Sequence, residues 1–142
     1  MDKPVISGNS IIVPSDSVYL AAVDDFLSTR LTEEGISQSI AADVAISVSE
    51  VVTNAIKHGN SDDINKKVTV KYELSQDEII IYVKDEGNGF NPDAIPDPTD
   101  NNNLLKKVGR GIFIVRSLLD SIDFNFTNDG TEVILKRSIV RE

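Results

Sequence analysis

The sequence predicts an α+β fold in which helices cover one face of a mixed, mainly antiparallel sheet. Its strand-like segments come in consecutive pairs joined by short polar turns, which is typical of antiparallel hairpins. Its helix-like segments have the apolar spacing of amphipathic helices, and they do not alternate one by one with the strands. A doubly wound parallel sheet requires that alternation, so we expect a two-layer sandwich instead.

The first segments predict a strand region followed by a helix. β-Branched residues dominate positions 5–13, with an interruption at positions 7–9, and they predict either one strand or a short hairpin. Pro14 ends this region. The apolar spacing of positions 17–32 predicts an amphipathic helix, and Gly35 is expected to end it as a left-handed C-cap.

A second, longer helix is predicted from Ser37 or Ser39 to the His58-Gly59-Asn60 tripeptide. Its apolar side carries Val44, Val48, Val51, Val52 and Ala55. Its opposite side carries Ser47, Glu50, Asn54 and Lys57, with His58 at the edge. A carboxylate and a carboxamide therefore project in the same direction from a rigid support, although this pattern alone also describes a solvated polar face.

Two further strands, at positions 68–74 and 78–85, are predicted on either side of a hairpin turn at positions 75–77. The second strand runs directly into the hexapeptide Asp85-Glu86-Gly87-Asn88-Gly89-Phe90. Two glycines at the end of a strand indicate a sharp turn or a close approach of the backbone to another group. Taken alone, they could mark only a turn.

The last third of the chain contains a polar segment, a helix and a final pair of strands. Positions 91–108 are rich in Pro and Asn and predict an irregular lid. Gly109-Arg110-Gly111 is expected to open a helix with an apolar face of Ile112, Phe113, Val115, Leu118 and Leu119. Free N–H groups at such a helix N-terminus would attract phosphate. Strands at positions 122–126 and 131–139 complete the prediction.

Composition limits the possible classes of function. The chain has 142 residues, the size of a single domain spanning residues 1–142. Its net charge of -9 opposes direct binding to nucleic acid. The absence of cysteine excludes disulfides and thiolate metal sites. Neither a long apolar run nor a basic-then-apolar start is present, so we expect no membrane span, no secretory signal and a cytoplasmic location.

These separate motifs occur in a characteristic order along the chain. Together they resemble the N box, the two glycine boxes and the last motif of the GHKL ATPase superfamily, which has the Bergerat nucleotide-binding fold. The four matching segments are, in that order, Glu50-x-x-x-Asn54-x-x-x-His58-Gly59, Asp85-x-Gly87-x-Gly89, Gly109-x-Gly111 and Gly130-Thr131. The resemblance covers roughly residues 40–139. The stretch from Glu50 to Gly59 is most similar to the stand-alone bacterial anti-sigma factor serine kinases.

The resemblance implies ATP and Mg²⁺ as ligands and assigns the phosphate end of the site. Asn54 would ligate Mg²⁺ as a neutral oxygen donor, leaving the other octahedral positions to phosphate oxygens and water. Glu50, one turn earlier, would orient or deprotonate the attacking hydroxyl. The phosphates would be contacted by Gly109, Arg110 and Gly111, with Lys57, His58, Lys106 and Lys107 as possible additional cations or neighbours.

The resemblance also assigns the base end of the site. Asp85 would accept a hydrogen bond from the exocyclic amine of adenine, while Gly87 and Gly89 would leave room for the base. Thr131 would support this end through a water molecule.

The activity that the resemblance implies is that of an anti-sigma factor with serine/threonine protein kinase activity. Its partners would be a STAS-domain anti-sigma factor antagonist as substrate, a sigma factor as the sequestered protein, and a second copy of the chain in a homodimer. Two alternatives stay open: a non-catalytic, nucleotide-gated binding module, and a histidine-kinase-type catalytic domain acting in trans. Glu50 favours catalysis over simple binding, because binding alone needs no base.

Overall fold

The computed structural model describes residues 3–87 and 103–139, with side chains in the second range described from residue 109 onward. A short 3-10 turn at Ser17–Tyr19 precedes the first helix, and a π-helical turn at Ala55–Gly59 extends the second. The elements are, in chain order, β1 (Val5–Ser7), β2 (Ser10–Pro14), α1 (Leu20–Glu33), α2 (Gln38–Asn54), β3 (Lys67–Leu74), β4 (Glu78–Lys84), α3 (Asn103–Leu118), β5 (Ser121–Thr127) and β6 (Gly130–Ser138).

The described strands form one six-stranded sheet in the order β1-β2-β3-β4-β6-β5. Every neighbouring pair is antiparallel, so the first segment is a short hairpin rather than one strand. Strands β4 and β6 lie side by side although α3 separates them in sequence; Ile81 is opposite Leu135 and Val83 is opposite Val133. The predicted α+β fold class is confirmed.

The helices and one face of the sheet share a single apolar core. Burial alternates along β4, where Ile79, Ile81 and Val83 are buried and the residues between them are partly exposed. This alternation is the pattern of a sheet covered on one side only. The core-facing valines of α2, with Val44 and Val52 at 0% exposure, pack onto that face. Each such buried side chain contributes roughly 1.5–3 kcal/mol of transfer free energy, as an upper bound.

Local capping explains where the first two helices begin and end. The Ser37 hydroxyl accepts a hydrogen bond from the Ile40 N–H at 3.2 Å, so Ser37 rather than Ser39 caps α2. Gly35 follows α1 with φ of 75°, as expected for a left-handed C-cap. Past Asn54 the helix widens into the π-helical turn, which sequence periodicity does not reveal.

The prediction that Gly109-Arg110-Gly111 opens α3 is wrong, because the helix already begins at Asn103. The tripeptide lies inside the helix, where N–H groups bond to carbonyls of the preceding turn and do not form an open anion seat. The predicted irregular segment therefore ends before residue 103, and its positions 91–102 lie outside the described residues.

Two side chains differ in burial from the prediction. Phe113 is 71% exposed, since Val115 and Leu119 define the buried side of α3 and Phe113 is about 200° around the helix from Val115. Ser47 is fully buried instead of solvated, because the polar side of α2 is where α3 packs. Its hydroxyl has no hydrogen-bond partner among the described residues.

The helix from Gln38 to Gly59 has the length and the mean hydropathy, 1.3, of a membrane-spanning segment. It is the core helix of the sandwich, with buried valines on one side, and core helices of soluble proteins meet the same criteria. The helix is therefore weak support for a membrane span.

Candidate functional site

A pocket lies between the C-terminal end of α2 and the adjoining ends of β4, β5 and β6. It encloses about 490 Å³ of empty space, including the open space at its mouth. Its polar groups converge on an otherwise apolar wall, which is the usual construction of a small-molecule site. The lining residues are Val51, Asn54, Ala55, His58, Gly59, Asp85, Ile112, Ile122, Phe124, Thr131 and Val133.

Asp85 is the buried carboxylate of this pocket, only 5% exposed. Its Oδ1 accepts hydrogen bonds from the N–H groups of Gly87 at 3.0 Å and Thr131 at 3.1 Å. The Asp85 N–H in turn donates to the Thr131 carbonyl at 3.0 Å. These bonds satisfy one carboxylate oxygen within the protein and fix the plane of the group. The other oxygen, Oδ2, lies on the side of Gly59.

The turn around Asp85 is tight enough to require glycine at its neighbours. A Cβ atom on Gly59 would lie 2.2 Å from Asp85 Oδ2, and one on Gly87 would lie 1.7 Å from the Gly59 carbonyl oxygen. A Cβ on Gly130 would lie 1.9 Å from the Asp85 carbonyl oxygen. Backbone segments from three parts of the chain therefore meet at van der Waals distance around one carboxylate.

The π-helical turn supplies the side of the pocket next to Asp85. The Asn60 N–H donates to the Ala55 carbonyl at 2.8 Å, five residues back, which identifies the wider turn. This insertion places His58 and Gly59 in the lining, next to Asn54 from the preceding turn. Single π-helical turns inside α-helices occur frequently at functional sites.

Glu50 and Asn54 lie next to α3 at Gly111. A Cβ on Gly111 would come 3.1 Å from Glu50 Oε2 and 3.5 Å from Asn54 Nδ2. The structure therefore brings together the predicted catalytic carboxylate, the predicted metal ligand and one predicted phosphate-binding glycine. Asn54 lines the pocket, whereas Glu50, partly exposed, lies one turn outside it.

Other predicted site residues are not brought to the pocket. Lys57 is exposed and forms an ion pair with Asp62 at 3.8 Å. Gly109 and Arg110 are exposed on α3 and line a separate surface depression with Phe113 and Ile114. Gly89 and the side chains of Lys106 and Lys107 lie outside the described residues.

The donor set suits nucleotide with magnesium better than a metal held by protein alone. Within residues 3–87 and 109–139, no group of three His, Cys, Asp or Glu side chains is close enough to hold a metal ion. A single amide oxygen from Asn54 fits Mg²⁺, which is usually bound through few protein ligands, substrate phosphates and water. A fixed buried carboxylate in an apolar pocket fits the amine of a purine base.

Asn60 lies beside the site, and its sequence context does not predict a role for it. It is fully buried, and its carboxamide joins the end of the π-helical turn to Ser15, Lys67 and Glu86. In the sequence it is simply the residue after a helix-ending glycine, where Asn is common for reasons of backbone conformation alone. No compositional signal distinguishes this buried asparagine from an exposed one.

The sequence also matches a known domain family. The model of the histidine kinase-like ATPase domain matches residues 13–137. The chain belongs to this family. The match covers the motifs of the pocket, including Glu50, Asn54, Asp85 and Thr131, and it confirms the GHKL resemblance found in the sequence.

Individual proteins are also similar to this chain along most of its length. The chain is 27% identical over 137 residues to serine-protein kinase RsbW of Staphylococcus aureus strains MSSA476 and MW2, covering 92% of this chain and 86% of each relative. This similarity agrees with the resemblance to anti-sigma factor serine kinases.

Solved structures support the fold of the ATPase domain. The structure of the RsbU and RsbW domains of Rv1364c from Mycobacterium tuberculosis superposes with a TM-score of 0.70 at 20% identity, covering 99% of this chain and 34% of that chain. The histidine kinase domain of Erythrobacter litoralis EL346 blue-light activated histidine kinase gives a TM-score of 0.52 at 22% identity, covering 87% and 60%. This chain thus spans about a third and three fifths of those two chains, and the likeness is one of fold.

Proposed function

We propose that this protein is an anti-sigma factor with ATP-dependent serine/threonine kinase activity. Its substrate is a STAS-domain antagonist, and in its other role it sequesters a sigma factor. The observation that carries the proposal is the arrangement of the pocket, in which a buried Asp85 carboxylate lies at one end and Asn54 at the other, with Glu50 one turn beyond Asn54. The 27% identity to serine-protein kinase RsbW supports the choice of substrate class and partners.

At the base end, Asp85 recognises adenine. Its Oδ1 is occupied by two backbone N–H groups, so Oδ2 is the oxygen that accepts from the exocyclic amine. Ile122 and Phe124, which line the pocket from β5, offer apolar surface to the base. Because the carboxylate cannot rotate without breaking both Oδ1 bonds, recognition is preorganised.

At the phosphate end, Glu50 accepts the proton of the substrate hydroxyl as that oxygen bonds to the γ-phosphorus and ADP leaves. Asn54 is the protein ligand of Mg²⁺, which neutralises charge on the phosphates when bound. Gly111 allows the phosphates to approach this pair, since a side chain there would lie against Glu50. Contacts from the N–H groups of Gly109 and Arg110 require the first turns of α3 to unwind, because those groups are inside the helix.

The similarity to the same relatives also supports a proposal for the cellular location and the oligomeric state. We propose a cytoplasmic location, because a protein that sequesters a sigma factor works where transcription takes place. We propose a homodimer because the resemblance to the anti-sigma factor kinases implies one. The acidic net charge of -9 is consistent with protein partners and opposes direct contact with DNA or RNA.

Phosphate transfer in a lysate of the host tests this proposal. The purified protein is incubated with γ-labelled ATP, Mg²⁺ and lysate, and the label is followed through acid treatment. An acid-stable label on a small protein of one-domain size is expected. The Glu50→Gln variant is the matched control: it should bind ATP as the wild type does and transfer no label.

Each other outcome contradicts a specific part of the proposal. An acid-labile label would indicate phosphohistidine and therefore a histidine-kinase-type activity. Binding of ATP without any label would indicate a nucleotide-gated binding module. Normal transfer by Glu50→Gln would show that Glu50 is not the base.

A further inference from the structure

Asn60 lies between the two ends of the candidate site. Its backbone N–H donates to the Ala55 carbonyl in the π-helical turn, and its side chain accepts from the Glu86 N–H next to Asp85. Its side chain is 0% exposed. Its Nδ2 donates to the Ser15 hydroxyl at 2.8 Å and to the Lys67 carbonyl at 3.1 Å. Its Oδ1 accepts from the Glu86 N–H at 2.8 Å. The Asn60 carboxamide and Ser15 are buried, and the bonds to Lys67 and Glu86 are partly buried, so an unpaired donor or acceptor on Asn60 would be expensive.

The bond to Glu86 fixes the backbone next to the base-recognising carboxylate. The Glu86 N–H belongs to the peptide unit that joins Asp85 to Glu86. Because a peptide unit is planar, holding its N–H direction also fixes the orientation of the adjacent Asp85 Cα. The Glu86 side chain closes the same turn from the other side, since its Oε2 accepts from the Lys67 N–H at 2.6 Å.

A carboxamide is the side chain that this position requires. It donates twice and accepts once, and both capacities are used. A carboxylate would accept from Glu86 but could not donate to the Lys67 carbonyl. An apolar side chain would leave the Glu86 N–H and the Lys67 carbonyl without this partner.

We infer that Asn60 is a positioning residue for base recognition. It joins the segment of α2 and the π-helical turn that carries Asn54 and His58 to the turn that carries Asp85, and so fixes the spacing between the phosphate end and the base end. Asn60 does not itself line the pocket, so it acts through Asp85. This inference rests on the proposed function, because the base that Asp85 recognises is adenine.

The experiment compares ATP with ITP, whose hypoxanthine base lacks the exocyclic amine that Asp85 recognises. Dissociation constants for both nucleotides with Mg²⁺ are measured on the full chain for wild type, Asn60→Ala and Ser15→Ala, and thermal unfolding is recorded for each. Ser15→Ala is the matched control. It removes the hydroxyl that accepts from Asn60 and donates to the Lys66 carbonyl, but it leaves the bond between Asn60 and Glu86 in place.

If Asn60 positions Asp85, replacing Asn60 should reduce the preference for adenine by more than a loss of stability alone would. In Asn60→Ala the preference for ATP over ITP should fall about tenfold, with ITP affinity changed less than about threefold. Ser15→Ala should unfold at a lower temperature and keep the wild-type preference. If Asn60→Ala does not fold, Asn60→Ser replaces it with the same expectation, because its hydroxyl is one bond too short to reach the Glu86 N–H.

Other results would overturn the inference. An unchanged ATP preference in the Asn60 variant, with a stability loss similar to that of Ser15→Ala, would show a purely structural role and leave the proposed function intact. An equal loss of preference in both variants would show a general loosening of the site. A wild-type protein that binds no ATP would overturn the proposed function and this inference together.

Discussion

Substituting Gly59 by alanine tests the close contact on which the candidate site depends. The added Cβ would lie 2.2 Å from Asp85 Oδ2 and 2.5 Å from its Cγ. An ordinary carbon–oxygen contact is about 3.3 Å, so the carboxylate must move by about 1 Å. A hydrogen bond that a ligand amine donates to Oδ2 at about 2.9 Å would then lengthen beyond bonding range. Since Asp85 is held by Gly87 and Thr131, the movement also strains those bonds.

The expected magnitude follows from two opposing effects. Overpacking a tight site costs about 1–3 kcal/mol. Replacing glycine by alanine in a helical segment returns about 0.5–1 kcal/mol. We therefore expect Gly59→Ala to lower stability by about 1–2 kcal/mol, a fall in Tm of about 3–8 °C for a domain of this size. Loss of the charged hydrogen bond should weaken ATP binding by roughly 10- to 100-fold.

A double-mutant cycle with Asp85→Ala isolates the contact from other effects. Asp85→Ala removes the two nearest atoms and leaves only Cβ, at 3.1 Å from the new methyl group. In that background most of the cost of Gly59→Ala should disappear, giving a coupling of about 1–2 kcal/mol between the two sites. Tm and titration with ATP measure the cycle. A Gly59→Ala protein with wild-type Tm and wild-type ATP affinity would refute the reasoning.

Further predictions concern the metal, the base and acid stability. Asn54→Ala should abolish the Mg²⁺ dependence of ATP binding; calorimetry with and without Mg²⁺ that shows unchanged dependence would contradict the assignment. Asp85→Asn should keep its Oδ1 bonds and its stability but lose roughly 10- to 100-fold in ATP affinity and little in ITP affinity, measured by titration with each nucleotide. Hydrogen bonds from Ser138 lower the pKa of Asp120 from its ordinary value of 3.8. The stability that this carboxylate provides is therefore present above pH 3.8 and is lost as the pH falls through the lower pKa of the folded protein. In denaturant titrations, Asp120→Asn should accordingly lose less stability than the wild type as the pH falls below 3.8.

Hydrophobic periodicity was sufficient to predict most of the architecture. The alternation along β3 and the helical spacing in α2 reflect a one-sided core, so pattern and burial coincide there. The hairpin at residues 75–77 also follows from local turn chemistry. These features depend on neighbouring residues in the sequence, and local signals suffice for them.

The start of α3 could not be predicted in the same way. Two glycines disfavour a helix by about 1 kcal/mol each, so Gly109 and Gly111 suggested a boundary. The structure has them inside the helix, because Gly111 packs against Glu50 and Asn54 of α2. The orientation of α3 is set by this packing, which also leaves Phe113 exposed. A contact with a helix some sixty positions earlier leaves no trace in local periodicity.

In the candidate site, motifs reveal most of the residues, whereas only the fold reveals the contacts between them. Asp85 carries a recognisable motif, yet its orientation depends on Gly59, Thr131 and Asn60, which come from the end of the second helix and the start of the last strand. None of these three residues is close to Asp85 in sequence, so each contact exists only after β4, β6 and α2 have assembled. The proposed recognition of the base therefore depends on the folding of the whole sandwich. A substitution at Gly59, Thr131 or Asn60 should therefore disturb Asp85 more than Glu50, because Glu50 lies beyond the opposite end of the pocket.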